Sequence, residues 1–291
     1  MDIFQLKNKQ LQISVNSFGA ELSSVIAQQT GIEYMWQANE LVWPRHAPNL
    51  FPIVGKLHEG TYSYESNTYK LSQHGFARDS NFICIEKTDD YLLFELSASE
   101  HSLINYPFHF KYQVGYKLIG SKLETHYRVF NMGNDDMYFS VGAHPAFNCP
   151  LVENESFSDY ELFFPNKQTL SVNTLQDGLI TSERKEITLN QNRLSISTEL
   201  FENDALVFMN SQIEEVHLLS KKSKHGVSLS SKDWPYYGIW SKKNTNQFVC
   251  LEPWYGIADT INFKEDISKK EGIITLNSKA EFQCRFDIRF Y

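Results

Sequence analysis

Cysteine is scarce in this sequence of 291 residues. The four cysteines lie far apart, at Cys84, Cys149, Cys250 and Cys284. No two of them have the C-x-x-C spacing that is typical of zinc sites and redox motifs. The chain also lacks the dense, regularly spaced cysteines that are typical of small secreted folds with disulfides. The pattern therefore predicts reduced, mostly buried thiols, no metal site and no disulfide framework.

Positive charge and long apolar runs are also lacking. The chain has 27 basic and 35 acidic residues, a net charge of −8, and no basic block, whereas nucleic-acid grooves and anionic membrane surfaces require clustered positive charge. No apolar run approaches about eighteen residues, and the first segment, MDIFQLKNKQLQIS, has neither the basic nor the apolar part of a signal peptide. We expect no nucleic-acid partner, no membrane partner and a cytoplasmic location.

Aromatic residues, by contrast, make up 14% of the chain, and such residues favour strands. Apolar and polar residues alternate with period two in many segments, as in the last one, AEFQCRFDIRFY, and in SKLETHYRVFN. Period two is the pattern of a half-buried strand. No repeat, low-complexity tract or Pro/Gly/Ser linker divides the chain. We therefore predict an all-β protein, with residues 1–291 forming one large antiparallel β-sandwich.

Four segments combine polar, aromatic and glycine or proline residues where a regular strand would not. They are NLFPIVGKLHEG, QHGFARD, SVGAHPAFNCP and VCLEPWYGIADT. Loops held by a rigid scaffold are where binding and catalytic groups collect. In the last segment, alternation places Cys250 and Glu252 on the face opposite Val249 and Leu251, just before a Pro-Trp break. We expect Glu252 to lie at the end of a strand.

Each of these segments also has a purely structural interpretation. QHGFARD suits a polar turn, a histidine before proline is usually a structural residue, and a glutamate at a strand end is usually solvated. The recurrence of the pattern in widely separated segments favours a common site instead. The candidate residues of that site are His74, Arg78, His144 and Glu252.

In order and separation, HGFARD, GAHPAF and CLEPWYGIAD resemble the aldose 1-epimerase (galactose mutarotase-like) superfamily, most closely its LacX-type branch. The resemblance extends from GAELSSV to the final strand. It implies a large antiparallel β-sandwich that interconverts the α and β anomers of a sugar without any cofactor.

The resemblance also implies roles for individual residues. Glu252 would be the base that removes the proton of the anomeric hydroxyl, and His144 would be the acid that protonates the ring oxygen. His74 would be a second imidazole near the ring oxygen or a neighbouring hydroxyl. Arg78 and Asp204 would bind sugar hydroxyls, although Asp204 also suits a solvated turn.

Two further groups of residues are candidates for substrate binding. The segment DWPYYGIWS and the Pro-Trp break supply aromatic residues for the C–H face of a sugar, namely Trp234, Tyr236, Tyr237, Trp240 and Trp254, although such residues are more often buried in a core. Lys56 lies where better-studied galactose mutarotases have Asn-Arg, and together with Arg45 and Arg78 it could meet a phosphate. The sequence leaves open whether the sugar partner is phosphorylated and does not indicate an oligomeric state.

Two alternatives remain from the residues alone. A glycoside hydrolase would use two carboxylates, for which Glu252 and Asp204 are an available pair. A non-catalytic sugar-binding protein would keep the aromatic residues and Arg78 but would not need Glu252 or His144 for turnover.

Overall fold

A computed structural model describes residues 2–291, and its secondary structure is almost entirely β. There is one short α-helix, α1 (Glu100–Asn105), and among the described residues no helix has the length and apolar character to span a membrane. Five 3₁₀ turns lie at His58–Gly60, Ala77–Asp79, Phe157–Asp159, Thr198–Phe201 and Ile267–Lys269. Strands β1 to β24 are, in order, Ile3–Lys7, Leu11–Asn16, Glu21–Ala27, Asn49–Leu50, Thr61–Tyr64, Asn67–Lys70, Ile83–Lys87, Tyr91–Ser97, Phe110–Ile119, Lys122–Asn131, Met137–Phe139, Val141–Ala143, Ala146–Asn148, Tyr160–Phe163, Thr169–Gln176, Leu179–Thr188, Arg193–Ser195, Leu206–Phe208, Glu215–Ser220, Gly226–Ser230, Tyr236–Trp240, Phe248–Tyr255, Ile274–Leu276 and Glu281–Phe290.

Two large sheets organise these strands. One has nine strands in the order β17-β14-β19-β20-β24-β10-β9-β8-β7, and the other follows the order β16-β15-β18-β21-β22-β12-β4, with β13 also paired to β22. Smaller sheets are formed by β1-β2-β3, by β5-β6 and by β11-β23. The ladders of both large sheets are antiparallel, as the alternating segments predict.

The two large sheets face each other across a shared core. From β4, the buried side chain of Asn49 donates to the Tyr116 hydroxyl of β9 at 3.2 Å and accepts from the Tyr127 hydroxyl of β10 at 2.6 Å. The neighbouring ring of Phe51 stacks on Tyr112 with centroids 4.7 Å apart. The main apolar cluster has members from Leu6 to Phe290. The predicted all-β antiparallel sandwich is confirmed.

All four cysteines are free thiols. Cys149 and Cys250 are buried, while Cys84 and Cys284 are only half-buried.

Strand β22 differs from the sequence-based expectation at its end. It does not stop at Glu252 but continues through Pro253 to Tyr255. On one side β21 pairs with it from Cys250 to Trp254, whereas on the other side β13 pairs up to Cys250 and β12 pairs again from Trp254. Pro253 thus falls between two short ladders, where its missing N–H breaks neither of them.

A buried ion pair ties several loops to this sheet. The Lys270 ammonium donates to Asp259 Oδ1 at 2.6 Å, and both side chains are 2% exposed. The other carboxylate oxygen of Asp259 accepts the backbone N–H of His58 at 2.8 Å. The backbone of Asp259 also bonds to Lys56 and to Ile180. One carboxylate therefore holds the loops before β5 and after β22 together.

The replacement Asp259→Ala should lower the free energy of unfolding by about 3–5 kcal/mol, because it leaves the Lys270 ammonium buried without its partner. The matched control is Glu202→Ala, which breaks the Glu202–Lys243 pair, whose atoms are 3.6 Å apart and whose side chains are more than half exposed. That change should cost at most about 1 kcal/mol. Urea denaturation measures both, and equal losses would contradict the structural role of Asp259.

Candidate active site

The break between β12 and β13 positions His144. His144 and Pro145 lie between these two strands, both of which pair with β22. The backbone N–H of His144 donates to Pro48 O at 3.1 Å, and Pro145 O accepts from Leu251 N at 3.2 Å. These bonds place the imidazole opposite the middle of β22, on the face that carries Glu252.

His144 and Glu252 are in direct contact. His144 Nε2 lies 3.1 Å from Glu252 Oε2, and the two residues are 8% and 1% exposed. The contact is not aligned as a hydrogen bond, and neither carboxylate oxygen of Glu252 has a hydrogen-bond partner within residues 2–291. Buried polar atoms normally have such partners. The arrangement leaves acceptors free for a ligand.

Burial sets the protonation of this pair. It raises the pKa of Glu252 well above the usual carboxyl value, the charge of Asp204 raises it further, and the Trp254 N–H acts in the opposite direction. Burial lowers the pKa of His144 to about 3, and the positive charges of Arg78 and Arg45 contribute to this. When the pair shares a single proton, both shifts favour placing that proton on Glu252 rather than on His144.

His74 is held as a neutral hydrogen-bond donor. Its backbone has a φ of 66°. The next residue, Gly75, has to be a glycine, because a Cβ at that position would lie only 2.3 Å from Phe51 O. The Gly55 N–H donates to His74 Nδ1 at 3.2 Å, so the ring proton is on Nε2. Burial, followed by the electrostatic effects of His144, Arg78 and Arg45, holds the pKa of His74 well below its usual value. The ring lies edge-on to His144 at 5.5 Å and lines the same pocket.

Arg78 follows on the 3₁₀ turn Ala77–Asp79. Its Nε lies 3.7 Å from Asp79 Oδ2 and has no hydrogen-bond partner in the part of the chain that the structure describes. Asp79 is instead engaged by Arg45, with Nη2 and Oδ1 2.8 Å apart. Burial and the charge of Arg45 lower the pKa of Arg78 to about 10, so the guanidinium stays charged at neutral pH. It can donate to a ligand in the pocket.

Aromatic residues form part of the pocket wall, and this set differs in part from the one that the sequence suggested. Trp240 and Trp254 line the pocket. Trp234 does not: it is 1% exposed, packs in the main core, and its indole N–H donates to Arg285 O at 2.8 Å. Trp43, which sequence reasoning missed, stacks on His144 with ring centroids 5.0 Å apart. Its segment, LVWPRHAP, has the same aromatic and proline character as the four chosen segments, so this signal was present in the sequence.

The pocket between these residues has a volume of about 500 Å³, which falls within the range of small-molecule sites. Asp204 lies at its wall on an exposed turn with a φ of 82°, where the carboxylate accepts the N–H of Ala205 at 2.8 Å. Lys56 is not among the lining residues. Its ammonium donates instead to the carbonyl oxygen of Asp177, at 2.9 Å, and Asp177 does not line the pocket either. The lining residues are Glu40, Val42, Trp43, Pro44, Gly55, Gln73, His74, Arg78, His144, Leu175, Gly178, Ile180, Asp204, Ala205, Val207, Trp240, Lys242, Glu252, Trp254 and Ala258.

Comparison with known proteins identifies the family. Residues 2–274 match the family described as aldose 1-epimerase. The chain belongs to the aldose 1-epimerase family. It is 32% identical over 289 residues to protein LacX of Lactococcus lactis subsp. lactis, which covers 95% of this chain and 96% of LacX.

Solved structures of two relatives have the same fold. A galactose mutarotase related enzyme from Lactobacillus acidophilus has a TM-score of 0.96 at 35% identity, covering 100% of this chain and 97% of the other. A galactose mutarotase-like protein from Lactobacillus casei has a TM-score of 0.93 at 30% identity, covering 100% of both chains. This aldose 1-epimerase family member thus has the fold of mutarotase-like proteins, and its family supports a sugar epimerase class of activity.

The protonation of the pair predicts a bell-shaped dependence of kcat/KM on pH for a sugar epimerase reaction that uses both groups. The acid limb, where His144 takes up a second proton, should lie far below the usual imidazole pKa of about 6.5. The alkaline limb, where the pair loses its proton, should lie above the usual carboxyl range. In Asp204→Asn the alkaline limb should move to lower pH, because the charge that raises the Glu252 pKa is removed. Polarimetry across pH tests this, and an acid limb near pH 6.5 would contradict the neutral, buried His144.

Proposed function

We propose that the protein is a mutarotase that interconverts the α and β anomers of an aldose by acid–base opening and closure of the ring. The observation that carries this proposal is the buried contact of 3.1 Å between His144 and Glu252 at a pocket of about 500 Å³. Mutarotation needs one base and one acid, placed so that both reach the same hemiacetal. A pair holding one proton can supply both.

The proton transfers balance in each half of the proposed reaction. In ring opening, ionised Glu252 takes the proton of the C1 hydroxyl, protonated His144 gives its proton to the ring oxygen, and the bond between C1 and the ring oxygen breaks. Glu252 is then protonated and His144 neutral. After rotation about the C1–C2 bond, His144 takes the proton back from the chain hydroxyl and Glu252 returns its proton to the aldehyde oxygen as the ring closes. No proton is consumed overall.

The other pocket residues would orient the sugar. We assign the Nε2–H of His74 to the ring oxygen or a neighbouring hydroxyl, and the guanidinium of Arg78 to hydroxyls. Trp254 and Trp240 provide apolar surface for the C–H face of the ring. Asp204 would accept from hydroxyls at the mouth of the pocket.

The charges of the pocket favour an uncharged aldose over a sugar phosphate. Besides the buried carboxyl group of Glu252, the pocket is lined by two carboxylates, Glu40 and Asp204, and by two cations, Arg78 and Lys242. The wall therefore has no excess of positive charge for a phosphate. The guanidinium of Arg45 is already paired with a carboxylate. Polarimetry on fresh α-anomers of neutral aldoses and of their phosphates separates the two substrate classes.

A glycoside hydrolase is the second candidate, since Glu252 and Asp204 line the same pocket. Release of reducing ends from an oligosaccharide would identify that activity. Saturable sugar binding with no acceleration of mutarotation would identify a binding protein instead.

We predict that Glu252→Gln and His144→Asn each lower kcat by about 10²- to 10⁴-fold with the fold intact, because each removes one of the two proton-transfer groups. The double variant should lose little more than the worse single one, since the two groups act as a unit. The exposed substitution Glu202→Gln is the matched control and should leave kcat unchanged. Wild-type mutarotation rates in folded Glu252→Gln would refute the mechanism.

Arg78→Ala should mainly raise KM, because it removes hydroxyl contacts made in both the ground state and the transition state. His74→Ala should lower kcat more than it raises KM if His74 Nε2–H meets the ring oxygen, where charge develops. Initial rates by polarimetry, corrected for the spontaneous reaction, give both constants. Unaltered kinetics in both variants would reduce the HGFARD segment to a structural turn.

A further inference from the structure

A cysteine lies directly behind the proposed catalytic pair. Cys250 precedes Glu252 by two residues on the same face of β22, and it is fully buried. The ligand atoms of His144, Cys250 and Glu252 all lie within 4.8 Å of one another. The spacing of cysteines in the sequence gives no sign of this cluster, because the histidine comes from the break between β12 and β13.

The three donors suit a zinc ion. Zn²⁺ binds imidazole nitrogen, thiolate sulfur and carboxylate oxygen at about 2.0–2.3 Å, and three protein ligands with one open position are typical of accessible zinc sites. Ligand atoms on one tetrahedral ion are then roughly 3.3–3.8 Å apart. His144 Nε2 and Glu252 Oε2 are already 3.1 Å apart, so only a movement of about 1 Å is needed to bring the sulfur in.

The carboxylate provides an independent sign of a missing partner. Glu252 is 1% exposed, and both its oxygens are without a hydrogen-bond partner among residues 2–291. A buried carboxyl group whose oxygens have no partner is costly whether it is ionised or protonated, and a bound cation would take the place of the proton and satisfy both oxygens. A donor set that contains sulfur selects zinc over magnesium or calcium, which prefer oxygen ligands.

We propose that His144, Cys250 and Glu252 form an inhibitory binding site for Zn²⁺. The ion would engage the acid and the base of the pair together, with its fourth position open to the pocket, and so would compete with the sugar. Burial and the neighbouring carboxyl group of Glu252 raise the pKa of the Cys250 thiol, so binding must displace its proton. The inhibition rests on the proposed function, whereas the binding itself does not.

Cobalt(II), a spectroscopic substitute for zinc, tests the binding. Titration of the wild-type protein should produce a thiolate-to-cobalt absorption band that added Zn²⁺ removes. The band should be absent in Cys250→Ala and retained in Cys84→Ala, which removes a half-buried cysteine on another sheet. Cys250→Ser, which keeps the size of the side chain, is a second variant if alanine destabilises the fold. Absence of the band in folded wild-type protein would overturn the proposal.

Zinc inhibition of mutarotation is the second measurement. Cys250→Ala and Cys250→Ser should keep the basal rate, because Cys250 takes no part in proton transfer, and should need at least about tenfold more Zn²⁺ for half-inhibition. Equal zinc sensitivity in wild-type and both variants would contradict the site. A cobalt band that depends on Cys250 in a protein without mutarotase activity would support the metal site and refute the proposed function. Mutarotase activity in a protein that gives no cobalt band would support the proposed function and refute the metal site.

Discussion

The placement of an acid–base pair inside the sheet, away from water, is the constraint on which the site depends. An isolated buried charge is costly, so burial pushes the pKa of Glu252 up and that of His144 down. The neutral form that results is the same form that ring opening would generate from the ion pair. Burial therefore favours one end of the proposed proton transfer, and a movement of one proton across the contact of 3.1 Å leads to the other end.

The sandwich can hold such a pair because one face of β22 packs in the core while the opposite face carries the site residues. On β22, Val249 and Leu251 lie in the main core, whereas Cys250 and Glu252 point to the opposite face. Packing between the sheets holds the strand rigid, and the other face remains available for chemistry. The loops at its ends are fixed separately by the pair of Asp259 and Lys270.

The period-two pattern was sufficient to predict the fold class and the two faces of β22, because alternation reports directly which side chains share a face. It could not predict that β22 continues past Pro253, since that depends on the gap between its two partner strands. It also could not separate Trp234, in the core, from Trp240, in the pocket, although both lie in one aromatic segment. Nor could it predict that Lys56 lies outside the pocket, since Lys56 directly follows Gly55, which lines it. The Lys56 side chain donates to the carbonyl oxygen of Asp177 instead.

Burial alone would make the imidazolium form of His144 inaccessible, so the surroundings must stabilise it when it forms. Trp43 lies almost parallel to the imidazole, at an interplanar angle of 27° and a centroid distance of 5.0 Å. The negative face of an aromatic ring attracts a cation more strongly than it attracts a neutral ring. An ionised Glu252 on another side of His144 acts in the same direction. Both contacts stabilise the charged form selectively, and they offset the cost of burial at the step at which the proposed mechanism requires His144 to carry the proton.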